Sequence, residues 1–288
     1  MNEMRLVFRE FVHRALWGRE RWEISAHRSD PGVVADGPLA GRRLDELFPG
    51  FPLLFKEIDA RDRLSVQVHP NGTTCRLAGG EPKSEMWCAL SDGPVFAGLR
   101  PGTDAAAVRD AVASGRFEEI LVRHDLRAGD AVFIPGGLVH AVGGGARLYE
   151  VQQSSDTTFR LYDWGRVGAD GRPRELHLAQ ALLAMDPGLP APEPRTSLDT
   201  PFFAFSQTRL SGEMPVRCAE DEFLAVRSAD GAFSLDGEGM ASGRSLLLPP
   251  GSSGCLRADG AWLLTTRFRR RAGEAGRRRG VDGGRARQ

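Results

Sequence analysis

Three short stretches of this chain hold residue types that can do chemistry, at spacings such chemistry needs. In Gly129-Asp130-Ala131-Val132-Phe133-Ile134-Pro135-Gly136-Gly137-Leu138-Val139-His140, a turn leads into an apolar run. A Pro-Gly corner then reverses the chain, and one imidazole faces inward on the next strand. In Ser65-Val66-Gln67-Val68-His69 the alternation of polar and apolar residues puts Ser65, Gln67 and His69 on one face of a strand. In Lys83-Ser84-Glu85-Met86-Trp87 it puts Lys83 and Glu85 together. Polar groups turned into an apolar interior are costly unless they are paired or coordinated. Two imidazoles and one carboxylate are a workable set for a divalent metal, with positions left open for a substrate.

The basic residues add a second signal. Of 38 lysines and arginines only two are lysine, Lys56 and Lys83. Lysine can lose its proton at accessible pH and arginine effectively cannot, so these two positions ask for an ammonium. Both lie in the segment that carries the other chemical residues. His13, His27, His124 and His177 have no partner at ligand spacing and read as surface residues. The four cysteines, Cys75, Cys88, Cys218 and Cys255, are far apart with no C-x-x-C spacing. They read as reduced thiols, not as a structural zinc site.

The elements that must position these residues are mostly strands. With 35 Gly and 18 Pro among 288 residues, the chain favours many short strands joined by turns. Runs such as PLLFKEI, RLSVQVH, SEMWCAL, DAVFIP, RLYEVQQ and TFRLYDW alternate with Gly-rich turns. A helix is expected between Thr103 or Asp104 as N-cap and Gly115 as stop, a second over about 174–185, and a short helical stretch at LDELF. Residues 71–82 read as a loop. Residues 189–201 form a Pro-rich linker, after which short strands resume. The later half weakly echoes the earlier one: FIPGGLVHA resembles LLPPGSSGCL, and setting Pro135 against Pro250 puts His140 against Cys255.

Composition narrows the classes. The chain is 41% hydrophobic and 26% charged, ordinary for a soluble protein with a sizeable core. No run approaches the roughly 18 apolar residues of a membrane span, and the first residues carry no secretory pattern, so a cytoplasmic setting is expected. The net charge of zero conceals an asymmetry. Residues 267–288 hold nine Arg against Glu274 and Asp282, a net of +7. This Gly-rich end is expected to be a basic tail, disordered from about Arg271 on. No nucleic-acid motif accompanies it, so neither a nucleic-acid nor a membrane partner is expected, and the oligomeric state is left open.

The stretch ending at His140 resembles the second motif of the cupin fold, in which that His is a metal ligand. QVHPN, GGEPKSEMW, PGGLVHAV and YEVQQSSDTTFRLYDWGR, in this order, resemble the type I, zinc-dependent mannose-6-phosphate isomerases in their short bacterial form. WEIS at 22–25, DGPLAG at 36–41 and FAGLRPG at 96–102 are similar too. The resemblance covers about residues 15–185. It implies a mainly β protein of cupin (double-stranded β-helix, jelly-roll) barrels, one catalytic and one degenerate, with a few short helices. The implied division is a catalytic domain at 1–188, a C-terminal β domain at 202–268 and the tail at 269–288.

The resemblance also implies one zinc ion per chain, bound by Gln67, His69, Glu85 and His140, and a catalytic Arg160. It makes Lys83 a substrate or proton-handling residue and Glu150 an acid/base carboxylate. Lys56 and Ser65 fall where sugar-phosphate contacts lie. The implied partner is a small sugar phosphate, mannose 6-phosphate or fructose 6-phosphate. There are departures: the stretch from Trp17 to Arg21 is short, and Pro82 stands where the long form has a His before the Lys. Two other readings remain at this point: an iron(II) dioxygenase, since two His and a carboxylate also make a facial triad, and a sugar-phosphate-binding regulator without turnover.

Overall fold

The computed structural model describes residues 5–168 and 171–269. The expected basic tail lies, apart from Arg269, outside the described residues. The first two-thirds of the chain supplies strands β1 (Phe11–Ala15), β2 (Gly18–Ser25), β3 (Leu53–Ala60), β4 (Val66–Val68), β5 (Glu85–Ala89) and β6 (Gly93–Leu99). These are followed by β7 (Leu121–Leu126), β8 (Ala131–Ile134), β9 (His140–Val142), β10 (Arg147–Gln153) and β11 (Phe159–Tyr162). Four helices interrupt them: α1 (Leu44–Leu47), α2 (Cys75–Ala78), α3 (Ala105–Ser114) and α4 (Leu178–Ala184).

Two antiparallel sheets, ordered β1-β2-β3-β10-β5-β8 and β11-β4-β9-β6-β7, face each other and enclose the first barrel. Its interior is packed by Ile58, Leu64, Trp87, Val95, Val132 and Leu148. Strand β3 is buried on both faces, and it carries Lys56 and Glu57 into the interior among its apolar residues. The outer face of the second sheet packs under α3 and α4 through Val66, Val68, Phe96, Val108, Phe117 and Ala181. Helix α3 is bounded as the sequence predicts. The Asp104 carboxylate accepts the Ala107 N–H at 2.9 Å, and Gly115 ends the helix at φ 72°.

After the linker, β12 (Leu198–Asp199), β13 (Ala204–Arg217), β14 (Glu222–Asp230), β15 (Phe233–Leu235), β16 (Glu238–Met240), β17 (Ser245–Leu248) and β18 (Ser253–Arg269) form a single seven-stranded sheet. It curls around its own core of Leu224, Val226, Phe233, Leu246, Leu256 and Leu263. Its outer face packs on the back of the first sheet, where Phe55 and Tyr149 meet Phe223, Leu264 and Phe268. The start of the chain joins this second barrel, because Leu6 pairs with Leu247.

The structure corrects several expectations. Residues 71–82, which read as a loop, contain α2, and the hairpin β1–β2 adds two strands not singled out in the sequence. Helix α4 starts four residues later than expected. Arg174 is held extended by a 2.7 Å bond to Asp163, and the Glu175 carbonyl accepts from Arg160 at 2.7 Å. The echo of His140 at Cys255 fails. Cys255 is only partly buried and approaches Glu213 on the adjacent strand at 3.7 Å, while its neighbour Leu256 fills the second barrel's interior.

Candidate metal centre and active site

The Pro-Gly corner and the end of β4 are locked together. A Cβ on Gly136 would sit 2.8 Å from the Pro70 carbonyl oxygen, so only glycine lets these segments touch. The Gly137 N–H donates to the His69 carbonyl at 2.8 Å, and the Gly136 N–H to the Ser84 hydroxyl at 3.0 Å. Three segments distant in sequence are thereby fixed around one point.

At that point His69, Glu85 and His140 offer ligand atoms within 4.8 Å of one another. His69 Nε2 lies 3.2 Å from Glu85 Oε2, and His140 Nε2 lies 3.4 Å from Glu85 Oε1. Each ring is oriented from behind. His69 Nδ1–H donates to the Thr157 carbonyl and His140 Nδ1–H to the Leu138 carbonyl, both at 2.8 Å. A carbonyl only accepts, so each neutral ring turns an unprotonated Nε2 toward the carboxylate, the arrangement that ligating imidazoles use. Burial, with the Lys83 ammonium nearby, pushes His69 down to about 3. Burial also lowers His140. Burial alone would raise Glu85, but the Lys83 ammonium outweighs it and holds the carboxyl well below its usual range.

Beside this triad is a cavity of about 180 Å³ lined by Lys56, Ser65, Gln67, Lys83, Glu150 and Arg160, with Trp17, Glu20, Thr158 and Arg174 among its other walls. The cavity thus gathers the six remaining residues singled out from the sequence. Gln67 sits directly opposite His140 on one side and Arg160 on the other, so the three share a face. Lys83 Nζ is 2.9 Å from Glu85 Oε2. Lys56 Nζ is 3.0 Å from Glu150 Oε1 and 3.3 Å from Glu20 Oε2. Burial works against the Lys56 charge, but the Glu150 and Glu20 carboxylates prevail and raise its pKa. The Trp87 indole N–H donates to Glu150 Oε2 at 3.0 Å. For Glu150 the balance is opposite. Burial and the Glu85 carboxylate raise it, more than Lys56 and Lys83 lower it.

Arg160 is held at both ends. Its backbone N–H donates to His177 Nδ1 at 3.1 Å, and its Nη1–H to the Glu175 carbonyl at 2.7 Å. Burial, together with the neighbouring Arg174, lowers its pKa. Glu20 and Arg174 escaped the sequence reading. Glu20 shares a strand face with Trp22, whose indole N–H it accepts at 2.9 Å, so period-two alternation held the signal. Arg174 lies in irregular chain after Pro173, where no periodicity points to it. The surface reading of the other histidines also needs correction. His27 is buried against Ser29, and His177 positions Arg160. A larger groove of about 840 Å³ between the barrels is lined by none of the candidate residues.

No protein-family model matches the chain. It is 30% identical to a mannose-6-phosphate isomerase from Streptococcus mutans, across 85% of this chain and 92% of that protein. The crystal structure of the mannose 6-phosphate isomerase from Bacillus subtilis superposes with a TM-score of 0.80 at 25% identity, covering 91% of this chain and 99% of that one. A zinc-bound crystal structure of a mannose 6-phosphate isomerase shares the fold with a TM-score of 0.69 at 15% identity, over 93% of this chain and all of that one.

Proposed function

The chain belongs to the mannose-6-phosphate isomerase family, and on that premise we propose that the cavity in its first barrel interconverts mannose 6-phosphate and fructose 6-phosphate. The observation that carries this reading is a convergence of four buried ligand atoms. His69 Nε2, His140 Nε2 and Glu85 Oε1 meet there without a hydrogen-bond partner, and Glu85 Oε2 beside them faces the Lys83 ammonium. Buried polar atoms left unpaired are costly, and two neutral imidazoles with an ionised carboxylate are what a divalent metal requires. The set fits one zinc ion per chain, with Gln67 as a fourth donor, and a zinc-bound isomerase shares the fold. When bound, zinc supplies Lewis-acid polarisation of a substrate oxygen.

The chain's own residues supply the rest. Aldose–ketose isomerisation moves a proton between C1 and C2 and another between the attached oxygens. Glu150 is the base in this reading. Trp87 and Lys56 fix its carboxylate, and burial brings its pKa up toward the range in which a group can both take and return a proton. Lys83 handles a proton at the substrate oxygens. Arg160, its guanidinium pinned by the Glu175 carbonyl, faces negative charge as it develops. Lys56 and Ser65 contact the sugar phosphate and orient it. A cytoplasmic setting accords with four free cysteines and with the absence, among described residues, of a helix long and apolar enough to cross a membrane.

A coupled assay with mannose 6-phosphate tests the proposal. Turnover should be present in the purified protein, vanish with a chelator and return with added zinc. Turnover indifferent to chelation would remove the metal from the reaction.

A further inference from the structure

The second barrel holds one buried charge that its own interior does not explain. Arg227, on β14, is 1% exposed and reaches out of its sheet into the back of the first. Its Nε–H donates to both oxygens of Glu23, at 3.2 and 3.1 Å, its Nη2–H to Glu57, and its guanidinium lies 5.1 Å from the centre of the Tyr149 ring. The Ser245 hydroxyl, also from the second barrel, donates to Glu23. Arg21 and Arg147 complete the surroundings of the two carboxylates.

The placement of the acceptors is what matters. Glu57 is paired across the sheet with Tyr149, and the next pair along the same two strands is Lys56 with Glu150. Successive residues point to opposite faces. The Arg227 contacts therefore hold the reverse side of the β3–β10 pair whose front side presents Lys56 and Glu150 to the cavity. A side chain gripping one face of a strand sets the position of what the other face presents. Displacing a reacting group by about 1 Å can cost on the order of 100-fold in rate.

We propose that Arg227 is a positioning residue for the isomerisation: through Glu57 and Tyr149 it fixes the strand pair that carries Lys56 and Glu150. The second barrel is then a functional clamp on the first. This inference rests on the roles given above to Lys56 and Glu150, and its test has a readout independent of turnover.

Arg227→Met alone leaves two carboxylates short of a partner, so it is combined with Glu23→Gln. Arg227→Lys keeps the charge but loses the fork. The control is Phe223→Leu in the same interface, whose ring partners are Phe48, Phe51 and Phe268. In zinc-loaded enzyme, both Arg227 variants should lower kcat by about 10- to 100-fold with unchanged zinc content. KM should stay within about threefold. Phe223→Leu should lower Tm while kcat stays within about twofold. Combined with Glu150→Gln, the loss from Arg227→Lys should shrink, because both act through one group.

The independent readout is the indole N–H resonance of Trp87, which donates to Glu150 and is assigned by Trp87→Phe. It should move in both Arg227 variants and stay in place in Phe223→Leu. An unmoved Trp87 resonance, or kcat values that fall only as far as in the control, would overturn the proposal. Absence of mannose 6-phosphate turnover in the wild type, with the resonance shifting as expected, would count against the proposed reaction and leave the positioning role standing.

Discussion

The two barrels turn opposite kinds of side chain inward. The first buries Lys56, Ser65, His69, Lys83, Glu85, His140 and Glu150 beside an apolar core. The second closes the same space with Leu224, Val226, Phe233, Leu246, Leu256 and Leu263. Aliphatic packing fills and stabilises the second barrel's interior. Buried charges need partners, and in the first barrel the partners are each other, the cavity and a metal. The first barrel takes extra support on its outer faces, from α3 and α4 on one side and from the second barrel on the other. The difference is one of content: the first barrel buries charge where the second is filled by aliphatic side chains, and the second packs against the first barrel's back.

The contrast can be broken at its sharpest point by removing one inward residue from each barrel. His140→Ala should lose the metal and lower kcat by about 1,000-fold, the rate equivalent of about 4 kcal/mol. Metal analysis and the coupled assay read both effects. Leu256→Ala, its inward counterpart, should reduce unfolding free energy by about 3 kcal/mol in urea. Its kcat per folded molecule should not change. A fall in kcat at full metal content would show that the second barrel's interior is coupled to the chemistry.

Lys83 sharpens the comparison within the polar end itself. Lys83→Arg keeps the charge beside Glu85 and removes a titratable amine. It should lower kcat by about 100-fold with little change in KM, as expected of a proton-handling group. A raised KM at normal kcat would instead mark Lys83 as a phosphate contact.

The response of the metal-free protein to acid tests the polar end without its metal. His69 falls from 6.5 to about 3 on folding, through burial and Lys83, and burial lowers His140 as well. The unfolded chain therefore binds protons below pH ~6.5 that the folded chain refuses. Stability should decline as pH falls through this window, by up to about 1.4 kcal/mol per pH unit for each imidazole. The lowered Glu85 adds loss in the same direction at more acid pH. Urea titrations of chelated protein between pH 7 and 5 check the sign, and a flat profile contradicts it.

Much of the site was legible because strand alternation is a local property. The faces of Ser65-Val66-Gln67-Val68-His69 and Lys83-Ser84-Glu85 follow from period two, and the Pro-Gly corner fixes where His140 stands. The boundaries of α3 were legible from Asp104 and Gly115, which cap it in the structure. What was not legible depends on distant partners. Helix α4 is shortened by Arg174 binding Asp163, a contact made after the chain turns back. Strand β18 runs as one long strand through Gly254 and Asp259-Gly260, because β13 pairs beside it on both sides of a bulge at Gly260. Glu23, Glu57 and Arg227 are ordinary strand charges in sequence, and their burial becomes visible only when the barrels dock.

Anomalous diffraction at the zinc absorption edge tests the central claim most directly. The account predicts a single peak in the first barrel, about 2.0–2.2 Å from His69 Nε2, His140 Nε2 and a Glu85 oxygen, and none in the second barrel. A peak elsewhere, or full isomerase activity in crystals that show no peak there, would contradict it.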